Sequence, residues 1–101
     1  MKKYYSDLVT RYARICIRYP DTDKYPTPAD RKGVNAVKEA LKVMLPGDCE
    51  ILKAIYGTFT DDYYIGNQVR VVALERNIDT VKVWKIVADF EQLVARNCEL
   101  L

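Results

Sequence analysis

The sequence predicts an all-α fold of about five helices, and three observations predict it. Apolar residues recur three and four apart through most of the 101 residues, the spacing that lines one face of a helix. Pro20, Pro46, Gly57 and Gly66 stand between these periodic blocks. The stretch most like a strand, Val69, Val71 and Val72, has no second strand to pair with, so it too reads as helix.

The first block runs from about Tyr4 to Tyr19, with Tyr5, Leu8, Tyr12, Ile15 and Tyr19 on one face and Pro20 ending it. Arg11, Arg14 and Arg18 repeat at the same spacing on the opposite face and predict a basic stripe. Residues 20–27 combine two prolines with turn formers and read as a loop. Thr27-Pro28-Ala29-Asp30 then has the pattern of a helix start: a hydroxyl cap, a proline where no N–H is needed, and an acid in the first turn. The helix that follows should reach Met44, burying Val34, Val37, Leu41 and Met44 and leaving Lys38 and Lys42 outside.

Pro46 breaks that helix, and Pro46-Gly47-Asp48 opens the next, Asp48 to Tyr56, with Ile51, Leu52 and Ile55 inward and Gly57 at its end. Residues 58–66, with Phe59, Tyr63 and Tyr64, carry no decisive helical or extended signal. Asn67 is expected to cap a short helix over Gln68–Arg76, and Asp79 to cap a last one from Thr80 to about Asn97 with Val83, Ile86, Val87, Phe90 and Val94 inward.

Composition narrows the function. The chain has no histidine, which removes the usual proton shuttle near neutral pH, His-activated nucleophiles and the commonest metal ligand. Cys16, Cys49 and Cys98 are odd in number and far apart, neither a disulfide framework nor a paired-ligand zinc site. They read as reduced thiols, buried or half-buried. There is no Gly-rich phosphate loop, and Asp61-Asp62 reads as a solvated acidic pair. The expectation is a protein that is not an enzyme, with no catalytic residue, metal, cofactor or small-molecule ligand. No apolar run approaches a membrane span, and the basic N-terminus lacks the apolar stretch of a signal peptide, so a cytoplasmic setting is expected.

Charge is polarised along the chain. Residues 1–44 carry ten Lys and Arg against five Asp and Glu, whereas residues 45–101 carry six against nine. A basic half suits phosphate or an acidic partner. Tyrosine is abundant, with eight in all, and Tyr4, Tyr5, Tyr12 and Tyr19 precede residue 20. Tyrosine adds contact area at low entropic cost, so these four are candidates for a partner or dimer surface.

The constellation richest in information lies between Val69 and Ile86. A helix-turn-helix needs a small residue where its helices approach, a residue tolerant of left-handed backbone in the turn, an apolar plug after it, and inward apolar positions on the second helix. Ala73, Asn77, Ile78, Val83 and Ile86 supply them in order. Together with Leu45-Pro46-Gly47-Asp48-Cys49-Glu50-Ile51-Leu52, Tyr56, Val72-Ala73-Leu74-Glu75-Arg76-Asn77-Ile78 and Thr80-Val81-Lys82-Val83-Trp84, the stretch resembles sigma-factor region 4, in particular the small phage and mobile-element regulators related to it. The resemblance covers residues 45–97; the family's turn glycine is Asn77 here, and the loop before it is longer than the family's.

The length predicts one helical domain over residues 1–101, with a basic two-helix part to residue 44, and the resemblance implies a helix-turn-helix part over residues 45–97. The resemblance also implies that the last helix lies in the major groove of double-stranded DNA, with Thr80, Val81, Lys82, Trp84 and Lys85 facing the duplex, although a lone Trp such as Trp84 more often completes a core or a partner interface than wedges against the backbone. Lys82 and Lys85 suit phosphate or guanine, Thr80 either, and Val81 a thymine methyl. Residues 67–97 hold only five basic against four acidic residues, so DNA binding would draw on Arg11, Arg14 and Arg18 as well. The expected function is a regulator that binds DNA or the transcription machinery, RNA polymerase included. The alternative is a protein-binding module, such as a phage-encoded antagonist of a host complex, that uses the fold without reading bases.

Overall fold

Five helices and no strand are present among the residues that the computed structural model describes, which are 2–20, 27–58, 60, 62 and 64–101. In chain order they are α1 (Lys3–Arg18), α2 (Pro28–Val43), α3 (Pro46–Tyr56), α4 (Gly66–Arg76) and α5 (Thr80–Asn97). The fold is all-α, as the periodicity predicts. The loop expected at residues 20–27 falls almost wholly outside the described residues, as do Phe59, Asp61 and Tyr63.

Several ends are set by local chemistry. The Thr27 hydroxyl accepts from the Asp30 N–H, and the Asp79 carboxylate accepts from the Val81 N–H, so α2 and α5 start on the caps expected of them. α3 begins at Pro46, two residues before the expected start, because proline at the first helical position gives up no intrahelical bond. The Asn67 cap is corrected. α4 opens at Gly66, and the Asn67 side-chain oxygen instead accepts from the Arg70 guanidinium within the first turn. Gly66 permits this, since a Cβ there would overlap the ring of Tyr64, which lies against the turn.

The core draws side chains from every helix. Tyr56 and Phe90 are fully buried with ring centroids 5.5 Å apart, and Leu52, Ile55, Val34, Val37, Val69, Val83 and Val94 surround them. α2 packs chiefly on α1 and α5, α3 on α4, and α1 also reaches α3 and α5. Leu41 and Met44, expected in the buried stripe of α2, are only half-buried. Gly33, Ala36 and Ala40 take the inner positions, because small residues let α1 and α5 approach the helix from two sides.

The buried face of α1 is also turned from its expected place. Val9, Tyr12, Ala13 and Cys16 face inward, Leu8 and Ile15 sit at the margin, and Tyr19 lies outside. Tyr12 is therefore a core residue rather than part of a partner surface, and its ring lies on Gly33 of α2. The three cysteines are free thiols, and burial pushes Cys16 and Cys98 up from the ordinary thiol range, which makes them poor nucleophiles. No described helix is long and apolar enough to cross a membrane.

One charged contact ties α1 to α2. Asp30, 3% exposed, accepts from Arg11 Nε and Nη2, both at 2.9 Å. These bonds hold its carboxyl below the usual range, against the burial that raises it.

Two outcomes follow from this packing. Gly33→Ala forces a methyl into the Tyr12 ring and should cost about 1–3 kcal/mol, read as a lower melting temperature. Asp30 contributes stability that is fully present above the unfolded carboxylate's pKa of about 3.9 and is lost as the pH falls through its lowered folded value. Arg11→Ala should therefore lower stability at neutral pH and flatten the acid limb of a melting-temperature series. Because the Arg11 side chain keeps 42% exposure, the loss is about 1–2 kcal/mol.

Candidate nucleic-acid interface

α4 and α5 are joined by three residues, and the chain's geometry there is fixed by its own backbone. Asn77 adopts left-handed dihedrals, φ 53° and ψ 48°. Its N–H donates to the Leu74 carbonyl at 3.3 Å and the Ile78 N–H to the Ala73 carbonyl at 2.9 Å, the paired bonds of a Schellman end. Asparagine tolerates this backbone better than most residues because its short polar side chain can hydrogen-bond locally. Ala73 is buried, Ile78 packs at the edge of the core, and Val83, Ile86 and Val87 hold α5 down.

The other side of the first turns of α5 is bare. Thr80, Val81, Lys82, Trp84 and Lys85 are all exposed, Val81 at 74%. They do not share one direction. At about 100° per residue, Lys85 and Lys82 stand about 100° and about 160° round the helix from Trp84. Trp84 instead turns toward α1, where it lines a groove with Ser6, Thr10, Tyr64 and Glu91. Lys82, Lys85 and Arg76 form no ion pair among the described residues.

The arginines of α1 do not extend this basic face. Arg11 clasps Asp30 of α2. Arg14, 7% exposed, donates to the Asp62 carbonyl, and Arg18 donates to the carbonyls of Thr58 and, at 3.0 Å, Thr60. A guanidinium fork satisfies carbonyls that an irregular segment leaves without helix partners, and that need sets the direction of the stripe. Arg11, Arg14 and Arg18, expected to face DNA, are thus each engaged in contacts within the chain.

The tyrosines likewise form no single surface. Tyr4 is exposed and Tyr5 half-buried, their rings tilted with centroids 5.9 Å apart, and Lys2 Nζ lies 5.9 Å from the Tyr5 ring. Tyr19 is exposed at the far end of α1, about 22 Å away along the helix. With Tyr12 in the core, only Tyr4 and Tyr5 remain as neighbours.

Two features escape the sequence reading. Leu74, 84% exposed, and Val71, 52% exposed, project from α4. The signal was present: Val71-Val72-Ala73-Leu74 is an unbroken apolar run, and no helix can turn four consecutive residues to one face. Glu91 on the groove gave no such signal, because its neighbour Ser6 lies 85 residues away in sequence.

The left-handed turn is open to test. Asn77→Gly should leave stability equal or raise it, while Asn77→Val should cost about 1–2 kcal/mol in chemical unfolding, since a β-branched residue is strained at that backbone.

Searches against protein-family models, curated proteins and solved structures return no significant match to this chain, so its residues alone carry the functional reading.

Proposed function

We propose that the chain is a small helix-turn-helix regulator that contacts double-stranded DNA through the first turns of α5. The observation that carries this reading is the pairing of a rigid left-handed turn at Asn77 with an uncovered Thr80–Lys85 segment, held from behind by Val83, Ile86 and Val87. That is the presentation a recognition helix needs: base-reaching residues at the N-terminal end, outside, on a helix that cannot roll. Lys82 and Lys85 would meet phosphate or guanine, Thr80 a phosphate or base edge, and Val81 a thymine methyl. The resemblance to regulators related to sigma-factor region 4 supports the same assignment, as does a place at the transcription machinery.

With α1's arginines engaged internally, the charge left for phosphate is small. Arg70, Arg76, Lys82 and Lys85 are the basic residues of α4 and the first turns of α5, beside Glu75, Asp79 and Asp89. Four phosphate contacts give a log–log salt slope no steeper than about −4. A second reading rests on the apolar side chains beside them. Leu74, Val71 and Val81 suit a protein partner, for which the fold would serve without reading bases.

An anisotropy titration of mixed-sequence duplex at several salt concentrations separates the two. DNA binding predicts saturable association at low salt, a slope between about −2 and about −4, and weakening by Lys82→Glu with Lys85→Glu at unchanged helix content. No association at low salt, or one indifferent to both reversals, overturns the DNA reading and leaves the apolar patch as the surface of interest.

A further inference from the structure

The groove between α1 and α5 contains a carboxylate, Glu91, that forms no ion pair with a described residue. Glu91, half-buried, accepts from the Ser6 hydroxyl at 3.0 and 3.1 Å, both of its oxygens sharing that one donor. A carboxylate has about four acceptor positions, so most of its capacity faces elsewhere. Burial pushes the Glu91 carboxyl up and Asp7 adds to this, while the Ser6 bond and the positive charge of the N-terminus oppose it. The fully buried Tyr56 hydroxyl lies within the carboxylate's field yet has no hydrogen-bond partner among the described residues. Asp7 lines the same groove, but Lys3 Nζ pairs with it at 2.9 Å. Trp84 and Tyr64 add aromatic surface beside Glu91, around a volume of about 340 Å³.

We propose that this groove binds an organic cation, an ammonium or guanidinium group, with Glu91 as counter-ion and Trp84 and Tyr64 as its aromatic walls. Each part of the groove selects against the alternatives. An anion would be repelled by Glu91, and a neutral apolar group would bury that carboxylate further with no compensation. A cation gains charge-assisted hydrogen bonds from Glu91 and attraction from the ring faces. The volume lies at the small end of ligand pockets and accommodates one such headgroup with its alkyl stem. Lys3, whose side chain is 85% exposed at the rim, tempers the affinity by like charge. The site is separate from the proposed DNA contact, which uses the Lys82 and Lys85 side of α5.

Trp84 is the sole tryptophan, so its fluorescence reports on this groove alone. The full chain is titrated at neutral pH with N-acetylarginine amide, with spermidine, and with N-acetylcitrulline amide as the uncharged analogue of the first. The expected result is a saturable change in emission with a cation, with a Kd on the order of 1 mM, and none with the citrulline compound. Glu91→Gln keeps an acceptor for Ser6 and should weaken binding by about tenfold or more at unchanged circular dichroism. Lys3→Ala, at an exposed position, should tighten it. Response to arginine amide but not spermidine identifies the ligand as a partner polypeptide's basic side chain, and the reverse identifies a free polyamine. No saturable change with either cation, equal binding by Glu91→Gln, or no gain from Lys3→Ala overturns the proposal.

Discussion

Helix α1 is the strut on which the fold depends, and its arginines are what couple it to the rest. An irregular connection between two helices leaves backbone carbonyls without ladder partners, and such groups are costly wherever protein covers them. Here the connection from α3 to α4 presents the carbonyls of Thr58, Thr60 and Asp62 to Arg14 and Arg18. One turn further toward the N-terminus, Arg11 holds Asp30 and with it the start of α2. A single helix thus fixes where the second helix begins and how the chain enters the fourth. The charge excess of residues 1–44 is partly spent inside the protein, and that changes what a basic sequence half means for function.

The consequence is a surface divided by chemistry. The Lys82 and Lys85 side of α5 is basic but sparse, α4 beside it is apolar at Val71 and Leu74, and the groove on the Trp84 side is acidic and aromatic. Sparse charge suits a regulator whose affinity comes from several modest contacts rather than from a broad electrostatic field. The ionised form of Glu91 is disfavoured in the fold, so stability falls as the pH rises through its raised pKa.

What was legible in the sequence was whatever local chemistry decides. Thr27 and Asp79 cap helices because the donor lies two or three residues on, and Asn77 turns left-handed because few other residues tolerate it between two helices. The inward positions Val83, Ile86 and Phe90 follow from spacing alone. What the sequence hid depends on distant partners. Tyr12 belongs to the core because Gly33, in the next helix, leaves room for its ring. The arginine stripe has an outward look until carbonyls more than 40 residues away are brought beneath it. Asn67 has the chemistry of a cap, but α4 opens one residue earlier, with Ile65 at the cap position and Gly66, whose missing side chain lets Tyr64 lie over the first turn, at its first helical position.

The central claim is that the α1 arginines are internal anchors, and Arg14 is where it can be tested without ambiguity, being the most buried of the three. Arg14→Met keeps the aliphatic stem and removes the guanidinium. Amide hydrogen exchange across α4, residues 66–76, measured with the melting temperature, reads the effect directly. The account predicts a lower melting temperature and faster exchange in α4 than in α2, because the anchored connection feeds α4. Native-like protection in α4 with an unchanged melting temperature would contradict it and return Arg14 to the surface as a residue for a ligand.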